Sequence, residues 1–484
     1  MFSVNSKYSL NFAGLSGLIK VNNHTHEKLK TLFLITKRIG ELVMITAELL
    51  TELTSKLSGV KAAAGKDTDH PLGNGGNVTL YPATEEEISS ILAYANKYKL
   101  TVSIMGAGTK RGYGGQREAC DLMLSLENYR GIVEHTVGDM TITVKSGTTI
   151  RELQDHLARS NQRISIDPFW PEDATIGGVI AANDSGPKRL RYGSARDAVI
   201  GLRTVYPDGT VIRSGGKVVK NVAGYDMNKL FIGSMGTLGV ISEVTMKLRP
   251  LAKYESLVLV PFSENQLNEI RPYSVKVLDS YAEPVCIELL NPTLAEKLTG
   301  VHQFTLAIAF EDVETSVQYQ EDILKQLLPA NTQSVILAKE EAHEFWNQFY
   351  RICPNGKTAG AENEALAAIK IGVVNLDIIR LLQDINSLQD LNNVQIYGHG
   401  GLGHGLGQII IRGAKEDVTS VIHQIRSSAQ QLNGYAVIKH LPQELRKEIN
   451  VWGQNPAYFR LFEGIKTKID PNRILNPNRF VGGI

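Results

Sequence analysis

The chain is poor in cysteine, with Cys120, Cys286 and Cys353 the only three among 484 residues. Three scattered thiols cannot build a disulfide framework, and they fall short of the ~4 thiolates that hold an iron–sulfur cluster. Cluster-borne electron transfer therefore belongs on another chain, and a reducing compartment is the expected setting. Charge of one sign is not in excess either. The 51 Lys+Arg and 50 Asp+Glu leave a net charge of +1, which gives no electrostatic case for nucleic acid. Long apolar runs are missing. The nearest, LFLITKRIGELVM, is broken by Lys37, Arg38 and Glu41, where a membrane helix needs ~20 apolar residues. The N-terminus has no signal-peptide layout. A cytoplasmic location is expected, with a peripheral contact at the inner face of a membrane left open. The chain contains no Gly-x-Ser-x-Gly, no His-Glu-x-x-His and no Gly-x4-Gly-Lys-Ser/Thr, which removes the usual serine hydrolase, zinc protease and P-loop readings. Hydrophobic residues at 43% and charged residues at 21% are ordinary for a globular chain, and length alone argues for about three domains.

Glycine is what the sequence has in quantity. Of its 44 glycines, 23 cluster in 106–115, 177–239 and 398–407. A core does not need such crowding; a backbone that approaches a ligand, or turns through positive φ, does.

Residues 1–60 read as a helical extension, with Leu, Ile and Val at helical spacing in HEKLKTLFLITKRIGELVMITAELLTELTSKL. In TLYPATEEEISSILAYANKYKL a strand ends at Pro82. Thr84 and Glu87 form a capping box, and Ile88, Ile91, Leu92 and Ala95 share one helix face. TVSIMGAGT then runs a strand into a glycine loop. Further strands follow, with a hairpin turning at Pro207-Asp208-Gly209. From 251 to 440 strands and helices alternate as an α+β cap, with no internal repeat, and 441–484 form a C-terminal segment.

Three side-chain-poor segments surround the first predicted sheet: GAGTKRGYGG, WPEDATIGGVIAANDSG and GSMGTLGVIS. The first is neither a dinucleotide fingerprint nor a P-loop, and by itself reads as a loop or as a nest of N–H donors. The second reads as a tightly packed helix start or as backbone lying flat on a ligand. Together they suit one long ligand such as FAD.

The ordered series PATEEE, GAGT, TIGGVIAANDSG, RYGSARD, GLRTVYPDGTVIRSGG and KNVAGYDMNKLFIGSMGTLGVI, over about 75–250, resembles the FAD-binding domain of the PCMH-type flavoproteins, the vanillyl-alcohol oxidase superfamily. DPNRILNPNRF resembles that family's ending. GPKRLRYGSARD, KNVAGYDMNKL and IELLNP are similar to FAD-binding subunits of glycolate oxidase. The resemblance implies an α+β fold: a two-subdomain FAD-binding domain over 72–250, a ferredoxin-like α+β cap over 251–440, and a return of 441–484 to the FAD domain. It implies that Gly106, Ala107, Gly108 and Thr109 hold the pyrophosphate. Pro171, Thr175, Gly177, Gly178, Asn183 and Gly186 would line pyrophosphate and flavin. Gly236, Gly239, Val240 and Ile241 would meet ribose and adenine; relatives often carry an acidic residue where Met235 stands. FAD is expected to be non-covalent, because KRGYGGQ holds neither His nor Cys.

Related 2-hydroxy-acid dehydrogenases place two histidines seven residues apart for a metal. Here His399 matches the first, Leu406 stands at the second and His404 is out of register, so no metal is assigned. His399 reads as a base for a substrate hydroxyl or as a turn histidine without chemistry. Arg189, in a cluster with Arg191 and Arg196, reads as a carboxylate partner or as part of a solvated face. Tyr225 reads as a packing partner of the flavin edge. Trp346 and Tyr350 read as core, or as a roof over the flavin. The function implied is FAD-dependent oxidation of a small 2-hydroxy acid, foremost glycolate to glyoxylate, in a complex with a paralogous flavin subunit and an iron–sulfur subunit. The alternative is a flavin-carrying electron-transfer or scaffold subunit whose substrate site lies on the paralogous partner.

Overall fold

The computed structural model describes residues 48, 50–57, 59–64, 70–115, 117, 119–216, 225–357 and 364–484. Most of the expected N-terminal extension, and residues 217–224, which include the first five of the KNVAGYD segment, lie outside them. The chain divides into Met1–Leu53 and Thr54–Ile484, and every sheet among the described residues lies in the second unit.

The first sheet is built from β1 (Lys61–Ala64), β2 (Gly75–Tyr81), β3 (Val102–Met105) and β4 (Ala119–Ser125), in the order β1-β2-β4-β3, with β2 and β3 both parallel to β4. The helix Glu85–Tyr98 makes the crossover. Thr84 Oγ1 accepts the Glu87 N–H, as the sequence suggests, but the Glu87 carboxylate takes the N–H of Ala83, one residue before the cap. Ile88, Ile91, Leu92 and Ala95 are all buried. Three glutamates in the first turn face the positive end of the helix dipole.

The second sheet has the order β5-β6-β10-β8-β9 and is antiparallel throughout, from β5 (Ile132–Thr136), β6 (Thr141–Lys145), β8 (Val199–Val205), β9 (Val211–Gly215) and β10 (Val240–Lys247). The short β7 (Gln162–Arg163) pairs with β11 (Arg249–Pro250). Gly209, at φ +86°, makes the β8–β9 turn. Glu85 of the first sheet's helix binds Arg203 of β8 and Ser242 of β10, tying the two sheets together.

The third sheet has eight antiparallel strands: β12 (Tyr254–Phe262), β13 (Cys286–Leu290), β14 (Phe304–Asp312), β15 (Val335–Ala338), β16 (Ala365–Gly372), β17 (Gln395–Gly401), β18 (Leu406–Gly413) and β19 (Tyr435–His440). Their order is β15-β12-β14-β13-β17-β18-β16-β19. Counted within each half, this is 4-1-3-2 followed by its mirror, 2-3-1-4. The cap is thus two ferredoxin-like units fused edge to edge along β13 and β17. The sequence reading found no repeat, because the halves share topology rather than residues. One apolar core, from Val258 to Val451, spans both halves.

The C-terminal segment returns to the first sheet, where Leu475 bridges to Val102 in parallel. Asn476 Oδ1 accepts from Ile104 N at 2.8 Å and Asn476 Nδ2 donates to Met235 O at 2.7 Å. Buried Lys466 donates to Thr237 O and Asp470.

All three cysteines are buried and free. Burial pushes the Cys120 thiol up to about 11 and that of Cys353 up to about 12. Because the thiolate is the reactive form, the native protein is expected to resist an aromatic disulfide reagent at neutral pH and to release three equivalents once unfolded. Rapid labelling of the native state would contradict the burial.

Candidate flavin and substrate site

The loop after β3, the helix Ile176–Ala182 and the 235–241 segment converge on one cleft of about 810 Å³. Its walls include Gly106, Ala107, Gly108, Thr109, Thr175, Gly177, Gly178, Gly236, Gly239 and Ile241. Ten of the expected cofactor residues therefore meet in one place. Four do not line it. Val240 is buried in β10, Pro171 stands outside, and Asn183 and Gly186 line a neighbouring cavity.

The glycines serve different ends. A Cβ on Gly106 would fall 2.1 Å from Thr175 Oγ1, the atom that caps the 176–182 helix. A Cβ on Gly177 would fall 2.6 Å from Ser146 Cβ, so this glycine is small in order to pack. A Cβ on Gly178 meets only Thr175 Oγ1, at 3.2 Å, and otherwise stands free in the cleft. Gly186 is bare because Asp167 presses on it. Gly108 and Gly236 adopt φ +80° and +70°. Met235, at φ +56°, shares the left-handed region at a cost that glycine would avoid.

Residues that sequence reasoning did not single out complete the cleft. Lys110, Arg111, Asn476 and Arg479 line it, giving the cations that a pyrophosphate needs beside the backbone donors. Burial and neighbouring Arg111 lower the Arg479 guanidinium to about 10. Lys110 also pairs with buried Asp184, at 3.2 Å.

A second cavity of about 490 Å³ lies between the 182–189 segment and the cap sheet. It shares Ala182 with the cleft. A third, apolar hollow of about 970 Å³, with Leu230, Trp452, Phe462 and Phe480 in its wall, meets both at the same residue. The second cavity holds Arg189, Glu288, Lys370, His399, His404, Gln408 and Lys439. Arg189 donates to Ser185 Oγ at 3.0 Å and, among the described residues, pairs with no carboxylate. Among the described residues Lys370 also has no carboxylate partner; burial, with Lys439 and Arg189 nearby, lowers its ammonium to about 8. Lys439 is bound to Asp184 at 2.7 Å. Despite burial, Lys439 and Lys110 hold the Asp184 carboxyl far below the usual range.

His399 is buried, and its Nδ1 lies 2.9 Å from Glu288 Oε2. Its Nε2 has no hydrogen-bond partner among the described residues. His404 accepts the Leu406 N–H at Nδ1, 3.2 Å away. Burial lowers the pKa of His404.

Of the three expected catalytic residues, His399 and Arg189 share this cavity, whereas Tyr225 is 93% exposed and lines none of these hollows. Trp346 is core, packed on Phe345 and Phe349. Tyr350 is half-buried and donates to Asp167 at 2.8 Å. Burial pushes the Asp167 carboxyl up to about 6. Among the described residues no cluster of three or more His, Cys, Asp or Glu could hold a metal, and no helix is long and apolar enough to cross a membrane.

Residues 77–215 match the family model for an FAD binding domain. That stretch is a PCMH-type FAD-binding domain, the chain has the fold of the vanillyl-alcohol oxidase family, and FAD is its cofactor. Among curated proteins, it is 26% identical over 439 residues to the glycolate oxidase subunit GlcD of Bacillus subtilis, covering 83% of this chain and 88% of that one. It is also 26% identical over 421 residues to a D-lactate dehydrogenase of Archaeoglobus fulgidus, covering 84% and 91%. Among solved structures, 4-ethylphenol oxidase from Gulosibacter chungangensis superposes with a TM-score of 0.69 at 16% identity, over 90% of this chain and 97% of that one. A p-cresol methylhydroxylase does so at 0.68 and 14%, over 91% and 96%. The cleft fits the cofactor: bare peptide faces it, cations flank it, and the space at Gly178 is one that a side chain would fill.

Proposed function

We propose that this chain oxidises a small 2-hydroxy acid, foremost glycolate to glyoxylate, as the flavin subunit of a multi-subunit dehydrogenase. One observation carries the reading. Where the cleft opens at Ala182, a single cavity presents a bare imidazole nitrogen on His399 and two cations without carboxylate partners, Arg189 and Lys370. That set matches a 2-hydroxy carboxylate group for group. Arg189 and Lys370 take the carboxylate, in part through charge-assisted hydrogen bonds. His399 Nε2 takes the hydroxyl proton as the carbon is oxidised. FAD supplies the two-electron acceptor when bound. The low pKa of Lys370 makes carboxylate capture weaken as pH rises through about 8, because the ammonium is lost there. The naming of GlcD and of the D-lactate dehydrogenases supports the substrate class. Electrons would leave through an iron–sulfur partner, since this chain's three cysteines cannot hold a cluster. The cofactor is held without a covalent bond, so acid precipitation should release all the yellow colour into the supernatant.

Anaerobic titration of the purified flavoprotein with glycolate and with D-lactate is the test. Bleaching of the visible flavin band by either acid supports the reading. Bleaching only after a paralogous flavin subunit is added moves the substrate site to that partner. The position of Leu406, where relatives place a second histidine, favours that second outcome, and the titration separates the two.

A further inference from the structure

The proposed base sits on a seam. Strands β13 and β17 join the two halves of the cap sheet, with Glu288 opposite Gly401 and Leu290 opposite His399. Antiparallel register puts directly opposed residues, and residues two apart, on one face. Glu288 and His399 are therefore diagonal neighbours on the same face, one from each half of the cap.

Gly401 leaves the room they need. A Cβ there would lie 2.7 Å from Glu288 Oε1 and 2.2 Å from His404 Cε1. With that Cβ missing, the carboxylate and a second imidazole share the space. Glu288 is buried, and a carboxylate can only accept. The 2.9 Å contact therefore requires the proton of neutral His399 to be on Nδ1. Nε2 is then an acceptor, and it is buried without a hydrogen-bond partner among the described residues, in the cavity that holds Arg189 and Lys370. Phe349, edge-on at 4.8 Å, and Phe169, at 6.0 Å, wall the ring on its apolar sides. His404 does not compete for the contact. Its Nδ1 accepts from Leu406 N, so its own proton is on Nε2, 3.8 Å from the other carboxylate oxygen.

We infer that Glu288 is a positioning residue that fixes His399 in the tautomer whose Nε2 is free to take the substrate's hydroxyl proton. The inference rests on the reading of His399 as that proton's acceptor, and it adds the group that makes the acceptor competent. A free imidazole prefers no such arrangement strongly, and a donor offered to Nδ1 would invert it. Holding the tautomer through the opposite half of the cap also makes the base depend on how the two halves are joined.

The experiment uses the FAD-loaded protein labelled with 15N-histidine, with the His399 signals assigned by their loss in His399→Asn. Wild type should show Nδ1 protonated and Nε2 bare, as one fixed tautomer. Glu288→Met, which removes the acceptor and keeps the bulk, should show mixed tautomers. It should lose roughly 10²-fold in the rate of flavin reduction, the lower end of what general base catalysis supplies, with KM for the hydroxy acid changed less than about threefold. Glu288→Gln, whose amide oxygen can accept the same proton, should restore the fixed tautomer and most of the rate. A wild-type His399 protonated on Nε2, or a Glu288→Met variant that keeps the Nδ1 tautomer or the full rate, overturns the inference. If no hydroxy acid reduces the wild-type flavin, the substrate reading has failed, and the tautomer spectra still decide the role of Glu288.

Discussion

Gly178→Val should purify as a folded and colourless protein. The position lies in the first turn of the 176–182 helix and has an ordinary helical φ. Valine can adopt that backbone without strain. Its Cβ meets one atom within 4 Å, Thr175 Oγ1 at 3.2 Å, and its methyl groups extend into the cleft. Nothing in the apoprotein core is displaced, so thermal stability of the apo form should stay within about 1 kcal/mol of wild type, as for other substitutions that create no cavity or clash. Cofactor binding should collapse, because the backbone can no longer approach the ligand. Flavin per protein chain, read from the visible-to-ultraviolet absorbance ratio, should fall to about a tenth of wild type or less, the change a single steric conflict of ~1.4 kcal/mol already produces. Gly177→Val is the contrast. Its Cβ would press on Ser146 Cβ at 2.6 Å and Ser146 O at 3.0 Å, an overpacking that costs ~1–3 kcal/mol. That variant should lose apo stability and cofactor together. Full flavin content in Gly178→Val would remove the cleft from consideration as the cofactor's seat.

These adjacent glycines show where the sequence is legible and where it stops. Both read alike in TIGGVIAAN, as places where a side chain is unwelcome. Which of them faces a ligand and which faces Ser146, some thirty positions earlier, depends on the helix's rotation against the second sheet. That rotation is a tertiary fact. The helix on PATEEE was readable because its cap and apolar face are local, at spacings of three and four residues. The error of one residue in the capping box, Ala83 in place of Thr84, is the size of error that local rules leave. Glu288 stood inside IELLNP, quoted for its resemblance, but its role had no local signal, since its partner lies 111 positions away and the intervening chain includes three strands. The glycine turn around His399 was visible, but the need for Gly401 is plain only once Glu288 stands opposite it. The resemblance of the tail returned its segment to the flavin domain without singling out Asn476 or Arg479; composition gives no hint that they close a cleft built some 370 residues earlier. The doubled ferredoxin-like cap was hidden for a different reason. Strand order is set by which edges pair, and unrelated apolar sequences satisfy the same pairing.

Glu311→Gln should cost the protein about 3–5 kcal/mol at neutral pH, the range for removing one partner of a buried ion pair. Glu311 is the penultimate residue of β14 of the cap sheet, and its carboxylate binds Arg163 of β7, Lys188 and the Tyr192 hydroxyl, the last at 2.6 Å. These three belong to the flavin-side segments, so one buried anion fastens the cap to the wall that carries Arg189. Burial opposes the charge, but Lys188 and Arg163 outweigh it and hold the carboxyl down to about 2, against an ordinary 4.5. A folded-state pKa depressed in this way contributes stability that is fully present above about 4.5 and is lost as pH falls towards 2. The difference is worth about 3 kcal/mol at 1.36 kcal/mol per pKa unit, consistent with the expected cost of the substitution. The glutamine variant has no such group to titrate. Urea unfolding of both proteins along a pH series should therefore show a gap of several kcal/mol at pH 7 that narrows below about pH 4.5. A gap under about 1 kcal/mol, or one that stays constant with pH, would mean that the cap is held by its apolar contacts and that the ion cluster contributes little. Replacing Arg163, Lys188 and Glu311 together with apolar residues separates charge from shape. Stability should return towards wild type, because no charge is left buried alone, and any loss of flavin reduction that persists must then come from the misplacement of Arg189 and not from a weakened fold.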